Sequence, residues 1–427
     1  MTRRRRRAAA LLTAATAAAL AASCSSTGPN ASPGDLTELN LSAVEAPWLD
    51  GYKKIIEQYE AETGVQVNLT SFPFDGLMTQ QANAAQIGSN AFDLFLLNEQ
   101  WVGLFYDQQW VRQLTDVDPA FSWDPDLIEF DGVGRWDADT RTTSLDGEPY
   151  ALPINGNIHE FMYRTDLYEQ LGLQVPTSWD EVVANGERAV DQGVADDGYV
   201  LRGKTPTYDF SAVLFSYGGS WFADEAAGDW TPAADTDEFR AALEQFKALA
   251  GVGPPAPQTI AQAEAISLMQ GGTVLQAALV TANAAPLENP EASHVAGNIG
   301  YAVMPGRTPV SGTWVLGVPT GLPDERAELA YDFLTWLTSK DTMQAWADGG
   351  GVTTRSDVTS DRPDLRVIIE SADDVRGGLR YPFTPAMLDV TDPAISQYLA
   401  GDLSLDAAVE EIQDGLVGVV TNAGFLE

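Results

Sequence analysis

The sequence predicts an α/β protein with parallel sheets, and three observations carry that expectation. Strand and helix patterns alternate along the chain. One apolar run reads as a strand buried on both faces. About 390 residues remain after an N-terminal leader, enough for two domains. Leu36 to Leu41 alternates as a short strand, and Trp48, Tyr52, Ile55, Ile56 and Tyr59 recur at helical spacing. Thr63-Gly64 ends that helix, because glycine accepts the left-handed conformation a helix terminus needs, and Val65, Val67 and Leu69 alternate as a second strand. Phe92 to Leu97 is the continuous apolar run, as in a strand of a parallel sheet. Ala330, Phe333, Leu334 and Leu337 form a later helical stripe; Leu405, Ala408, Val409, Ile412 and Leu416 form another behind an N-cap at Ser404.

The leader runs Arg3 to Arg7, then apolar from Ala8 to Ala22, then small residues up to Cys24, the one cysteine of the chain. This is the pattern of a secretory signal, too short to stay as a membrane span. Cysteine after small residues at such a junction resembles the bacterial lipobox, although Leu20 stands four residues before it where that pattern prefers three. The expected organisation is a lipoprotein signal over residues 1–23, acylation at Cys24 and a flexible tether over 24–35, rich in Ser, Pro, Asn and Gly. The five arginines lack the flanking consensus of twin-arginine export. No cysteine remains for a disulfide or a thiolate metal site.

Without the leader, 19 Lys and Arg face 61 Asp and Glu, a formal charge of −42. Such a surface repels nucleic acid and anionic lipid, both of which need cationic side chains to neutralise phosphate. It suits a soluble exported body.

Several phrases follow one another in a recognisable order. They are Tyr59-Glu60 with Thr63-Gly64-Val65, Phe92-Asp93-Leu94, Tyr150-Ala151-Leu152-Pro153, Met162 to Leu167, Pro176 to Glu181, Tyr217-Gly218-Gly219, Tyr301 to Pro305 and Gly312-Thr313-Trp314. Over nearly the whole mature chain this resembles family 1 of the extracellular solute-binding proteins of ABC importers, the sugar-binding group. Gly272 to Gln276 departs from the family pattern, which leaves the loop Thr281 to Asn283 the weakest part of the likeness. Phe74 to Leu77 and Asn98 to Val102 look most like the sugar-alcohol and monosaccharide binders.

The resemblance implies a type II periplasmic-binding-protein fold: two α/β lobes, one of residues 36–152 plus 315–368 and the other of 153–314 plus 369–427, hinged by crossovers around a ligand cleft. It implies a monomer with no cofactor and no metal, lipid-anchored on the outer face of a bacterial membrane. Its partners would be a small neutral carbohydrate or polyol and a membrane permease. A neutral polyol presents hydroxyls, met by amides and carboxylates, and C–H patches, met by aromatic faces. Asn98, Glu99, Gln100 and Trp101 stand at the carboxyl end of the buried run, where ligands of open sheets sit. Asn155 and Asn157 follow Pro153 at the expected first crossover, and Tyr208, Asp209 and Tyr217 match contact positions of the second lobe. Trp48, Trp221, Asn283, Trp314 and Tyr381 complete the candidates; for each aromatic, core packing is the competing role.

Other chemistry finds less support. Gly198 to Thr205 matches a phosphate-binding loop letter for letter, but the residues before it are acidic, its middle reads as a strand and Pro206 follows. Arg355 reads as a structural ion pair, and without an arginine cluster an acidic ligand is disfavoured. Asp137, Asp139 and Asp146 lack the turn glycine of a calcium loop. His159 and His294 are too few for a zinc site; His159 reads as a packed histidine beside the cleft. The expectation is a binding protein and no enzyme. The alternatives are a receptor for an amino acid derivative or peptide and an exported glycan hydrolase using paired carboxylates.

Overall fold

The computed structural model describes residues 36–426. The signal of residues 1–23, Cys24 and the tether of 24–35 lie outside the described residues. From Thr37 onward the chain packs as one compact unit. Inside it are two large hydrophobic cores, those of two α/β lobes.

In the first lobe, β1 (Glu38–Val44), α1 (Leu49–Thr63) and β2 (Gln66–Phe72) form a parallel βαβ unit. The helix buries Tyr52, Ile55, Ile56 and Tyr59, the stripe its spacing predicts, and Gly64 closes it at φ 77°. Next come α2 (Phe74–Gln86), β3 (Phe95–Asn98) and α3 (Glu99–Asp107). The strand β3 is shorter than its apolar run. Asp93 within that run is fully buried and is held by the Asn40 amide at 2.7 Å and by the Arg326 guanidinium, whose Nε lies 2.7 Å away.

The sheets are mixed, which corrects the parallel expectation. Leu41 bridges Leu94 in parallel, but the strand Trp314–Gly317 runs antiparallel between β3 and Ala151–Asn155. The reason is topological: that strand returns from the second lobe and enters the sheet at the end where β3 leaves it. In the second lobe His159–Arg164 lies between Gln276–Val280 and Ile299–Ala302, antiparallel to both. Trp221, Phe210, Phe239 and Phe246 pack edge to face in its core, at centroid distances of 5.2 to 5.6 Å. Ser404 caps its helix as expected, accepting the Ala407 amide at 3.2 Å.

Three crossover segments lie side by side between the cores. The His159 amide donates to the Val310 carbonyl at 2.9 Å, Gly312 to Asn157 at 2.8 Å, and Ser311 to Arg376 at 3.0 Å. These backbone bonds tie the three crossovers to one another.

Candidate ligand-binding cleft

A cleft of about 570 Å³ opens beside these crossovers, within the range of small-molecule sites. The first lobe supplies the end of β1 and the chain after it (Val44 to Trp48), the start of α2 (Phe74, Asp75), the end of β3 (Asn98) and the first turn of α3 (Gln100); the crossovers supply Asn157, Gly312 and Trp314. All of these stand where strands end or helices begin, so polar groups face the opening while the strands behind are buried. Asn98 caps α3 by accepting the Gln100 backbone amide at 3.2 Å, which fixes the Asn98 side chain at the rim. Trp48, Trp314 and Phe74 form one aromatic wall with Trp101 behind it: Trp48 meets Trp314 at 5.9 Å, and Phe74 meets Trp314 at 5.8 Å and Trp101 at 4.6 Å. Gly312 is required by close approach, since a β-carbon there would lie 2.7 Å from the Tyr208 hydroxyl.

The opposite wall is polar and rests on one buried network. Asp209 lies behind Arg202 and accepts from its Nε at 2.9 and 3.0 Å, from its Nη2 and from its backbone amide at 3.2 Å. Burial alone would raise the Asp209 carboxyl, but the Arg202 charge and the His159 hydrogen bond hold it well below the usual carboxylate range. An ionised carboxylate only accepts, so His159 Nε2 donates to it at 3.1 Å, and burial keeps that imidazole neutral. Tyr208 closes the stack, 4.4 Å from the His159 ring and 5.0 Å from the Arg202 guanidinium, with its hydroxyl donating to Val310 at 3.2 Å. Arg202 therefore reaches the cleft with its charge already compensated.

The profile of the bacterial extracellular solute-binding proteins matches residues 43–344. The chain belongs to that family. Among relatives, it is 25% identical over 317 residues to a probable amino-acid ABC transporter periplasmic-binding protein of Sinorhizobium fredii, covering 73% of this chain and 70% of the relative. It is 26% identical over 277 residues to the mannitol-binding protein of Pseudomonas aeruginosa, covering 61% and 59%. An ABC transporter solute-binding protein of Agrobacterium radiobacter K84, solved with ribitol, superposes with a TM-score of 0.75 at 20% identity over 90% of this chain and 98% of that one. As a member of this family, the protein is a solute-binding protein and not an enzyme.

Of the residues expected at its site, the binding protein brings Trp48, Asn98, Gln100, Asn157, Tyr208, Asn283 and Trp314 together around the cleft. The others lie behind it or away from it. Asp209 supports Arg202 as described. Glu99 turns inward from the end of β3 to a buried ion pair with Arg380. Trp101 backs Phe74 and Trp314. Asn155 is fully buried and accepts the Val352 amide at 3.3 Å. Tyr217 donates to Gln245 at 3.1 Å, and Tyr381 to Glu225 at 2.7 Å. Trp221 is a core residue whose indole donates to Ser211 at 3.0 Å. Trp221→Phe is expected to lower unfolding free energy by about 1–3 kcal/mol, because the buried Ser211 hydroxyl loses its donor, with ligand affinity unchanged. Chemical denaturation and titration calorimetry on the same sample read both.

Sequence reasoning passed over Glu45, Asp75, Arg202, Thr205, Gln262, Leu388 and Asp392, which also line the cleft. Arg202 and Thr205 sit inside the phosphate-loop lookalike. There Gly198 packs on Gly186, the Val200 amide bonds Gln276 at 3.2 Å and the Lys204 amide bonds Ile260 at 3.1 Å, so the amides are committed to the fold. Phe74 and Asp75 had a signal in the phrase they share with polyol binders. Leu388 and Asp392 had none: they lie in a helix late in the chain, brought to the cleft by packing. Arg355 is the structural residue expected, held by Asp124 at 2.6 Å and Asp357 at 2.8 Å. Among the described residues no group of His, Cys, Asp and Glu forms a metal site, and no helix is long and apolar enough to cross a membrane.

Proposed function

We propose that this protein is the substrate receptor of an ABC importer, and that the cleft traps a sugar, oligosaccharide or sugar alcohol as the lobes close about the crossovers. The observation that carries this is the pairing of an aromatic wall with amide and carboxylate groups in one cleft beside the crossovers. Aromatic faces cover the C–H patches of a polyol, and each hydroxyl finds a donor or acceptor. The names of the mannitol-binding relative and of the ribitol complex point the same way. The amino-acid relative offers a second reading, which the electrostatics disfavour. A free carboxylate needs an uncompensated cation, and Arg202 already serves Asp209. We assign the protein to the outer face of the membrane as a monomer, anchored through lipid on Cys24, with the closed form presented to a permease.

Thermal shift tests the assignment. A ligand that binds only the folded state stabilises it by about 2.7 kcal/mol at 100 times its Kd. A screen of hexitols, pentitols, hexoses, maltose and free amino acids should give a saturable rise in Tm with hydroxylated compounds and none with amino acids. Shifts confined to amino acids would overturn the reading, and product release from an oligosaccharide would revive the hydrolase.

A further inference from the structure

We infer that the ligand carries an ammonium group among its hydroxyls, so that its class is an amino sugar or an aminated sugar alcohol. The inference rests on the reading of this cleft as the ligand site. Its first support is charge. Four charged side chains line the cleft: Glu45, Asp75, Asp392 and Arg202. The guanidinium is neutralised from behind by Asp209 and also acts on the largely buried Asp392, which leaves Glu45 and Asp75 facing the opening without a cation. Among the described residues neither Glu45 nor Asp75 enters a salt bridge. Asp75 stands in the first turn of α2. Asp392 is held through Oδ1 by the Thr207 amide at 2.9 Å and the Thr207 hydroxyl at 2.5 Å, which fixes the carboxyl at the wall.

The second support is independent of charge. Asn283 is 1% exposed and lines the cleft, yet its Oδ1 has no hydrogen-bond partner among the described residues. A buried acceptor without a donor is costly unless a bound molecule supplies one. A hydroxyl or an ammonium fills that place; a carboxylate or phosphate does not. The third support is the aromatic wall, whose Phe74 ring is 38% exposed beside Asp75. A cleft lined by both an aromatic ring and a carboxylate can attract an organic cation by the ring's quadrupole and by charge. A neutral polyol meets the aromatic faces, the amides and the carboxylate oxygens, but it leaves the charge of Glu45 and Asp75 unmatched.

The test compares matched pairs on the mature protein by calorimetry: D-glucitol against 1-amino-1-deoxy-D-glucitol, D-glucose against D-glucosamine, and galactose against galactosamine. At low salt and neutral pH the amine should bind at least about tenfold more tightly in one or more pairs. That preference should fall as salt rises, since surface-accessible charges are screened. Asp75→Asn with Glu45→Gln, two exposed positions, should erase the preference, so that the amine binds no more tightly than its uncharged partner measured on the same variant. Equal or tighter binding of the uncharged member in every pair overturns the ammonium inference and leaves the polyol reading standing. Absence of binding across all pairs and the wider screen overturns both.

Discussion

Arg380→Ala is expected to cost about 3–5 kcal/mol of unfolding free energy near pH 8 and distinctly less near pH 5. Arg380 comes from the third crossover and reaches the first lobe, where Nε and Nη2 donate to Glu99 Oε2 at 3.1 and 3.0 Å. The same guanidinium donates to the carbonyls of Phe130 and Asp131, each at 2.7 Å. Space is so tight that a β-carbon at Gly378 would lie 2.1 Å from Glu99 Oε1. Without the guanidinium, an ionised Glu99 would stay buried and alone. Protonation removes that penalty, which gives the pH signature. Burial pushes Glu99 up to about 7 even with the Arg380 charge beside it. A carboxyl whose folded pKa is raised contributes stability fully present below its unfolded value of 4.5 and lost as pH rises through about 7. Removing Arg380 raises the folded value further, so the defect grows with pH. Urea denaturation at the two pH values reads it, and the double variant with Glu99→Gln should recover much of the loss. A defect of equal size at both pH values would show that Arg380 acts only through its carbonyl contacts.

The second large effect belongs to Asp209→Asn. At neutral pH the variant should lose about 3–5 kcal/mol, because Arg202 keeps its charge while the buried group compensating it becomes neutral. The pH dependence runs opposite to that of the Glu99 pair. Asp209 is held below its ordinary value of 3.8, so its contribution is present above that value and is lost as pH falls through the folded pKa. The difference between variant and parent should therefore shrink in acid. Ligand response should change as well. With Asp209 neutral, Arg202 offers an uncompensated charge to the cleft, and weak binding of uronic acids should appear where the parent has none. A variant that folds normally and still ignores acidic sugars would mean that the Arg202 charge is compensated by Asp392 instead.

These two carboxylates show how far residue types alone carry an argument. Glu99 and Asp209 were both expected at the ligand, since each is polar and stands beside a strand end or in a matching phrase. Each instead faces an arginine: Glu99 meets one 281 positions further along, and Asp209 one seven positions back. A carboxylate turns toward whichever cation the fold brings near, and the sequence does not display that distance. The same holds for Trp101, Trp221 and Tyr381, because an indole or phenol suits a core and a sugar equally well. Arg202 went unnoticed for the converse reason: its local letters resembled a phosphate loop, and only the network behind it gives the side chain its place at the cleft.

By itself the sequence determined the alternation of strands and helices, the helix stripes and their caps, the acidic surface and the family. Each of these depends on residues close together in the chain or on overall composition, where periodicity and charge act directly. The tertiary structure alone decided the antiparallel return of Trp314–Gly317, the partition of candidate residues between cleft and core, and the pairing that leaves Glu45 and Asp75 facing the opening. Those depend on contacts between segments far apart in the chain, set by how whole elements pack and by which charges burial brings within reach of one another.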